Sequence, residues 1–118
     1  MGVKTIKSKK EFYRSIGQGV VLVNFHAPWC APCRLLEPII DKIASTFKDR
    51  VFIHGLNVDE HEDLALNLEI HHVPTLIICK EGREVERIIG LQEEIVLSEA
   101  LNRALEGSAA TSDSNPII

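Results

Sequence analysis

Cysteine is scarce in this chain of 118 residues, which contains only three. Three cysteines cannot build the multi-pair disulfide framework that holds small secreted domains together. Long apolar runs are also missing: the longest, GVVLVNF at residues 19–25, is far shorter than the roughly 20 residues of a membrane-spanning helix. No apolar segment of a secretory leader follows the polar, basic residues 1–10. We therefore expect a cytoplasmic protein with no membrane segment.

An excess of positive charge is likewise absent. The net charge is −4 and the two signs are interspersed along the chain, which argues against a nucleic-acid partner. Apolar residues make up 45% of the chain and charged residues 25%, the composition of an ordinary globular domain. We predict one domain over residues 1–106. The small and polar residues 107–118 predict a disordered tail.

Hydrophobic patterning alternates between strand and helix along the rest of the chain. The predicted strands cover residues 3–6, 20–26, 51–58, 75–79 and 84–90. The predicted helical segments are residues 8–19, 31–47, 62–70 and 93–106. Ser8 and Glu11 form a capping-box pattern at the first helix, and a hairpin turn is expected at residues 80–82. Alternation followed by a hairpin predicts an α/β fold with a mixed sheet.

Two cysteines, Cys30 and Cys33, lie at the junction between a predicted strand and a predicted helix. Cys30 falls at the helix N-cap or first turn, where unpaired N–H groups and the helix dipole lower the pKa of a thiol from its ordinary value of about 8.5. Cys33 follows one turn later on the same side, and we expect it to be the more buried of the two. Cys30 can therefore attack a disulfide, and Cys33 can resolve the mixed disulfide by a second exchange. Pro32 suits an early helical position, and Trp29 offers a flat apolar contact.

Metal binding and an inert structural pair are the alternatives for these cysteines. A zinc site needs four ligands, and neither Cys79 nor the five histidines supply a second pair at ligand spacing. Redox chemistry is the interpretation that the spacing favours, with no metal and no bound cofactor.

At this point the sequence resembles the thioredoxin family, over roughly residues 3–105. The similarity rests on VLVNFHAPWCAPC at residues 21–33, on Pro38 in the following helix, and on GLNVDEH at residues 55–61. It extends to VPT at residues 73–75 and to IIGL at residues 88–91. The resemblance implies a central five-stranded mixed sheet flanked by four helices. It also implies that Pro74 is a cis-proline facing the cysteine pair.

The resemblance further implies a surface that receives client proteins. Val73 would pair with an extended peptide of the client in the manner of an added strand. The apolar residues around the cysteines would form the docking surface: Trp29, Ala31, Pro32, Val73, Pro74, Gly90 and Leu91.

Two positions depart from the family pattern. Asn24 stands where the family usually has a buried aspartate that carries a proton for the resolving cysteine, and Gly55 stands where it has a lysine. An amide has no titrating proton, so we expect slower deprotonation of Cys33 and a more stable oxidised fold. His26, where the family typically has an aromatic residue, projects to the same face as Asn24. It either relays the proton or simply packs beside the active-site loop.

The remaining polar positions have simpler interpretations. Cys79 ends an apolar strand and is expected to be a buried small residue, with a regulatory thiol or a dimerisation site as the alternative. His71 and His72 are expected to be exposed loop residues, although His72 could touch a client. His54 and His61 are expected at the surface or at strand ends. The acidic residues 59–63 are expected to decorate a helix N-terminus.

The function that these features predict is that of a protein dithiol–disulfide oxidoreductase acting through Cys30 and Cys33. By resemblance, its electrons would come from an NADPH-dependent reductase and it would be a monomer. The alternative is a client-binding module or holdase with the same fold, for which a cysteine pair would be unnecessary. A more oxidising thiol oxidase or isomerase is a third possibility.

Overall fold

A computed structural model describes residues 3–107 and the backbone of residues 115–116. The strands are β1 (Val3–Thr5), β2 (Val20–His26), β3 (Phe52–Asn57), β4 (Thr75–Lys80), β5 (Arg83–Ile89) and β6 (Asn115–Pro116). The helices are α1 (Lys9–Ile16), α2 (Ala31–Thr46), α3 (Glu62–Asn67) and α4 (Glu94–Glu106), with a 3₁₀ turn at Val58–Glu60. The predicted α/β fold is confirmed: the five predicted strands and four predicted helices are present, and the two-residue β6 is an additional strand.

The strands form one mixed sheet in the order β1-β3-β2-β4-β5-β6. β3 is parallel to both β1 and β2, whereas β4 is antiparallel to β2 and to β5. The two-residue β6 pairs with the beginning of β5 at the edge. A disordered tail is predicted over residues 107–118, and most of it, residues 108–114 and 117–118, lies outside the described residues.

Helices cover both faces of the sheet, because the central strand β2 is apolar on both sides. Val20 and Leu22 pack under α2 and α4, whereas Val21, Val23 and Phe25 pack under α1 and α3. A strand buried on both faces is expected to be nearly continuously apolar, and β2 is so from Val20 to Phe25 except at Asn24. By the same alternation, the side chains of Asn24 and His26 lie on the same face of β2 as Leu22, toward α2.

Local sequence signals fix the boundaries of several elements. Ser8 caps α1 by accepting a hydrogen bond of 3.0 Å from the Glu11 N–H, as the capping pattern predicts. The β4–β5 hairpin turns at Glu81 and Gly82, which both have positive φ. Pro38 lies inside α2, where it removes the backbone hydrogen bond that position 38 would otherwise donate.

Candidate active site

The cysteine pair lies where β2 gives way to α2. Cys30 is the N-cap of α2 in extended backbone conformation, and its Sγ accepts a hydrogen bond of 3.1 Å from the Cys33 N–H. The Cα atoms of the two residues are 5.2 Å apart and their sulfurs form a disulfide. Ala31 and Pro32 fill the exposed first turn between them. The predicted N-cap position of Cys30 is confirmed.

The two cysteines are equally buried. Each is 3% exposed, so the expectation that Cys33 would be the more buried is wrong for the disulfide form. The reason is that Cys30 packs with Cys33, Ala27 and Val73 in one small apolar cluster.

Trp29 stands beside this cluster as an exposed aromatic side chain. It is 68% exposed, and its Nε1–H donates a hydrogen bond of 3.0 Å to Asp59 Oδ2. The hydrogen bond orients the indole ring while leaving its apolar face open. Sequence reasoning missed this role of Asp59, because it placed the residue in an acidic segment at a helix N-terminus.

The loop before β4 faces the sulfurs. The Val73–Pro74 peptide bond is cis, and the Val73 carbonyl oxygen lies 3.6 Å from Cys30 Sγ. Gly90 joins this loop through a hydrogen bond of 2.8 Å from its N–H to the Pro74 carbonyl oxygen. Leu91 follows as an exposed residue. The structure thus brings together three segments that are far apart in the sequence: Cys30, Val73–Pro74 and Gly90–Leu91.

A shallow cleft of about 360 Å³ opens beside Trp29. Its lining residues are Trp29, Val58, Ile70, His71, His72 and Val73. His71 and His72 are exposed, as expected, and they add the polar groups of an otherwise apolar cleft. The cleft shares Val73 with the loop whose carbonyl oxygen lies next to Cys30 Sγ.

Asn24 lies on the α2 face of β2. It is 6% exposed, it pairs across the ladder with Gly55, and its Oδ1 has no hydrogen-bond partner among the described residues. His26 lies over Gly55, since a methyl group at position 55 would be 3.3 Å from His26 Nε2. Burial lowers the pKa of His26, and the carboxylates of Glu37 and Glu60 oppose that effect.

Two other polar residues lie away from the cysteine pair. Cys79 is fully buried, as predicted, and burial raises the pKa of its thiol to about 12. His54 is only 8% exposed, so its expected surface or strand-end placement is wrong. It occupies the middle of β3, between Lys4 of β1 and Val23 of β2. Burial and the charge of Lys4 lower its pKa.

The rest of the domain offers neither a metal centre nor a helix that could span a membrane. Within residues 3–107, no three histidine, cysteine, aspartate or glutamate side chains come together as metal ligands would. None of the helices in that part of the chain is long and apolar enough to cross a bilayer.

Comparison with known proteins gives one consistent result. The family model for thioredoxin matches residues 3–103. The chain is 40% identical over 98 residues to a thioredoxin of Chlamydia pneumoniae, a match that covers 83% of this chain and 95% of the relative. It is 35% identical over 95 residues to a thioredoxin of Staphylococcus aureus, covering 80% and 91% of the two chains.

Solved structures agree with these relatives. A mutant thioredoxin of Halobacterium salinarum superposes with a TM-score of 0.81 at 30% identity, covering 87% of this chain and 90% of that one. The thioredoxin of Malassezia sympodialis gives the same values. The cysteine pair at the start of α2 and the similarity over nearly the whole domain show that this chain belongs to the thioredoxin family of dithiol–disulfide oxidoreductases.

Proposed function

We propose that this protein reduces disulfide bonds of client proteins, with Cys30 as the attacking nucleophile and Cys33 as the resolving thiol. The observation that carries these roles is the geometry at the start of α2. Cys30 Sγ accepts the Cys33 N–H and sits at the positive end of the helix dipole, where a thiolate is stabilised. Cys33 follows within disulfide distance.

The reaction transfers two electrons to the client. The thiolate of Cys30 attacks one client sulfur, so that a mixed disulfide forms and the first client thiolate leaves. Cys33 then loses its proton and attacks Cys30 Sγ, which forms the Cys30–Cys33 disulfide and releases the second client thiolate. Each client sulfur takes up a proton, so a client disulfide becomes a dithiol while the protein is oxidised.

The client backbone would bind along the Val73–Pro74 loop. The Val73 carbonyl lies next to Cys30 Sγ, and the loop is held against Gly90 by the hydrogen bond to Pro74. Exposed Trp29 and Leu91 would supply apolar contact on either side. Ala31 and Pro32, exposed in the first turn of α2, would complete this surface.

Regeneration requires a second partner. We infer an NADPH-dependent reductase that returns two electrons to the Cys30–Cys33 disulfide, on the strength of the resemblance to the thioredoxin family. A reducing compartment suits this cycle, and we propose the cytoplasm and a monomeric protein. Electrons would pass from NADPH through the reductase to this protein and then to the client.

Paired serine variants test the assignment of the two cysteines. Cys33→Ser should accumulate a mixed disulfide with a disulfide-containing protein, whereas Cys30→Ser should form none. Non-reducing electrophoresis and intact mass measure the adduct. Trapping by Cys30→Ser instead would reverse the roles, and a wild-type protein that binds the client without reducing it would favour the client-binding module.

A further variant tests the docking surface. Leu91→Asp should raise KM for a protein client and leave the rate with a small aromatic disulfide unchanged, because only the protein contacts the apolar surface. Glu99→Asp, an exposed change on α4, is the matched control.

A further inference from the structure

The cleft beside Trp29 is formed largely by the loop between α3 and β4. Residues 70–73 of this loop are four of the six residues that line the cleft. The last of them, Val73, carries the carbonyl oxygen that lies 3.6 Å from Cys30 Sγ. The position of this loop therefore sets both where the cleft opens and where the client backbone would bind.

The end of the loop nearest the cysteines is fixed by two hydrogen bonds. Thr75 Oγ1 donates a hydrogen bond of 2.6 Å to the His72 carbonyl oxygen. The Gly90 N–H donates one of 2.8 Å to the Pro74 carbonyl oxygen. Neither of these two contacts involves a charged side chain, and both lie within a few residues of β4 or β5.

The other end of the loop begins at Glu69, in a backbone conformation that a side chain disfavours. Its φ is 58°, in the left-handed region where glycine is the usual residue at the end of a helix. The Glu69 N–H donates to the Leu66 carbonyl oxygen at 3.0 Å, and the Ile70 N–H donates to the Ala65 carbonyl oxygen at 2.9 Å. Such a conformation at a non-glycine residue persists only where surrounding contacts hold it, so a contact from outside the turn has a large effect here.

Arg87 of β5 supplies that contact from another part of the chain. Its Nη1–H donates a hydrogen bond of 3.2 Å to the Glu69 carbonyl oxygen. Its Nε–H and Nη2–H donate hydrogen bonds of 2.7 and 2.8 Å to the two carboxylate oxygens of Glu84. Pairing at two points fixes the plane of a guanidinium group, and both side chains are largely shielded from water, at 26% and 18% exposed. Glu84 thereby aims one nitrogen of Arg87 at the loop.

We propose that Arg87, oriented by Glu84, is a positioning residue for client binding. Its hydrogen bond to the Glu69 carbonyl oxygen keeps the loop at residues 69–73 in the conformation that receives the client. Arg87 acts through the loop and does not touch the sulfurs. The proposal rests on the reduction of client disulfides proposed above.

The effect on the reaction follows from how much of the free protein holds the binding conformation. The apparent dissociation constant of a client rises by the inverse of that fraction. Loss of the Arg87 contact lowers the fraction, whereas a bound client holds the loop in place again. We therefore expect a higher half-saturating client concentration and an unchanged limiting rate. A small disulfide that meets only Cys30 Sγ does not use the loop and should react as before.

Single-turnover reduction of insulin by the reduced protein, over a range of insulin concentrations, tests the proposal. The emission of Trp29, the only tryptophan of the chain, follows the reaction. Arg87→Met keeps the length of the side chain without its hydrogen bonds, and Arg87→Lys keeps the charge without the planar fork. Arg83→Met, an exposed change on the same strand, is the matched control. A small aromatic disulfide is the second substrate.

The expected result is a split between the two kinetic quantities. Arg87→Met should raise the half-saturating insulin concentration by about threefold or more, with the limiting rate and the rate with the small disulfide unchanged. Arg87→Lys should behave in the same way, because an ammonium cannot bind both Glu84 oxygens and the Glu69 carbonyl oxygen in one plane. Glu84→Met should also raise it, and the double variant should be no worse than the worse single one, since both changes remove the same contact. Arg83→Met should match wild type.

Hydrogen exchange measured by NMR gives a readout that needs no substrate. The Ile70 amide, which closes the turn at Glu69, should exchange faster in Arg87→Met than in wild type. The Leu68 amide, bonded to the Leu64 carbonyl oxygen at 3.0 Å within α3, should be unchanged.

Three kinetic results would overturn the proposal. The first is a half-saturating concentration in Arg87→Met equal to that of wild type. The second is an equal loss of rate with insulin and with the small disulfide, which a general loss of folded protein predicts. The third is an Arg87→Lys variant equal to wild type, which would assign the effect to charge alone. If Arg87→Met does not fold, Arg87→Lys and Glu84→Met decide by the same criteria.

Failure of the proposed function has a different signature. A wild-type protein that does not reduce insulin would refute that function whatever the variants do. Hydrogen exchange then tests the contact by itself, and an Ile70 amide that exchanges equally in Arg87→Met and wild type would show that Arg87 does not hold the loop.

Discussion

Replacement of Asn24 by aspartate is the sharpest probe of how this protein differs from its family pattern. The change is nearly isosteric, so it alters charge and leaves packing intact. Asn24 is 6% exposed, and its neighbour across the ladder is Gly55, which offers no cation. A carboxyl group at this position would therefore be buried without an ionic partner, and burial raises the pKa of such a group.

The magnitude follows from linkage between protonation and folding. Burial can raise a carboxyl pKa by about 3 units from its unfolded value of about 3.9, and each unit is worth about 1.4 kcal/mol. At pH 7 the loss in the free energy of unfolding is then about 4 kcal/mol, or about 2 kcal/mol if solvent reaches the site. For a domain of this size, we expect Tm to fall by about 10 to 20 °C.

The loss of stability in Asn24→Asp should depend on pH in a definite direction. Because the folded pKa of the new carboxyl is the higher one, the penalty is absent below the unfolded pKa of about 4 and grows as pH rises toward the folded pKa. Differential scanning calorimetry of the oxidised proteins from about pH 4.5 to 7.5 should show wild type and Asn24→Asp diverging as pH rises. Asn102→Asp, exposed on α4, is the matched control and should follow wild type. A Tm difference that is equal at both ends of the pH range, or absent throughout, would refute the reasoning.

Three further predictions rest on other parts of the fold. Because burial and Lys4 lower the pKa of His54, the fold is stable while His54 is neutral, above about pH 6.5, and loses stability as the pH falls below that value. His54→Gln should therefore reduce the fall in Tm between about pH 7.5 and 5.5. A fall in Tm equal to that of the wild type would contradict the assignment. Cys79 has a thiol pKa of about 12 and no exposure, so it should resist alkylation by iodoacetamide at about pH 8 until the protein is denatured. Mass spectrometry measures the labelling, and rapid labelling of the native protein would contradict the burial of Cys79. Ser8→Ala should lower the free energy of unfolding by about 1 kcal/mol in urea titrations, because the Glu11 N–H loses its hydrogen-bond acceptor. Ser8→Asp should retain the stability of the wild type. Equal stability of Ser8→Ala and wild type would show that the cap contributes nothing.

Local sequence determined most of the fold of this protein. The nearly continuous apolar residues of β2 require helices on both faces of the sheet. The Ser8 cap and the turn at Gly82 mark element boundaries in neighbouring residues. The spacing of Cys30 and Cys33 at a strand–helix junction likewise predicted the redox pair, because one helical turn brings such residues together.

Contacts between distant segments were decided only by the tertiary structure. The hydrogen bond from Trp29 to Asp59 and the burial of His54 depend on which strands become neighbours, and no local pattern encodes that. The same holds for His26 over Gly55, where a missing side chain on one strand makes room for a ring on the next. Sequence periodicity fixes which face a residue occupies, but strand order and register decide what it meets there, because both arise from packing the whole chain at once.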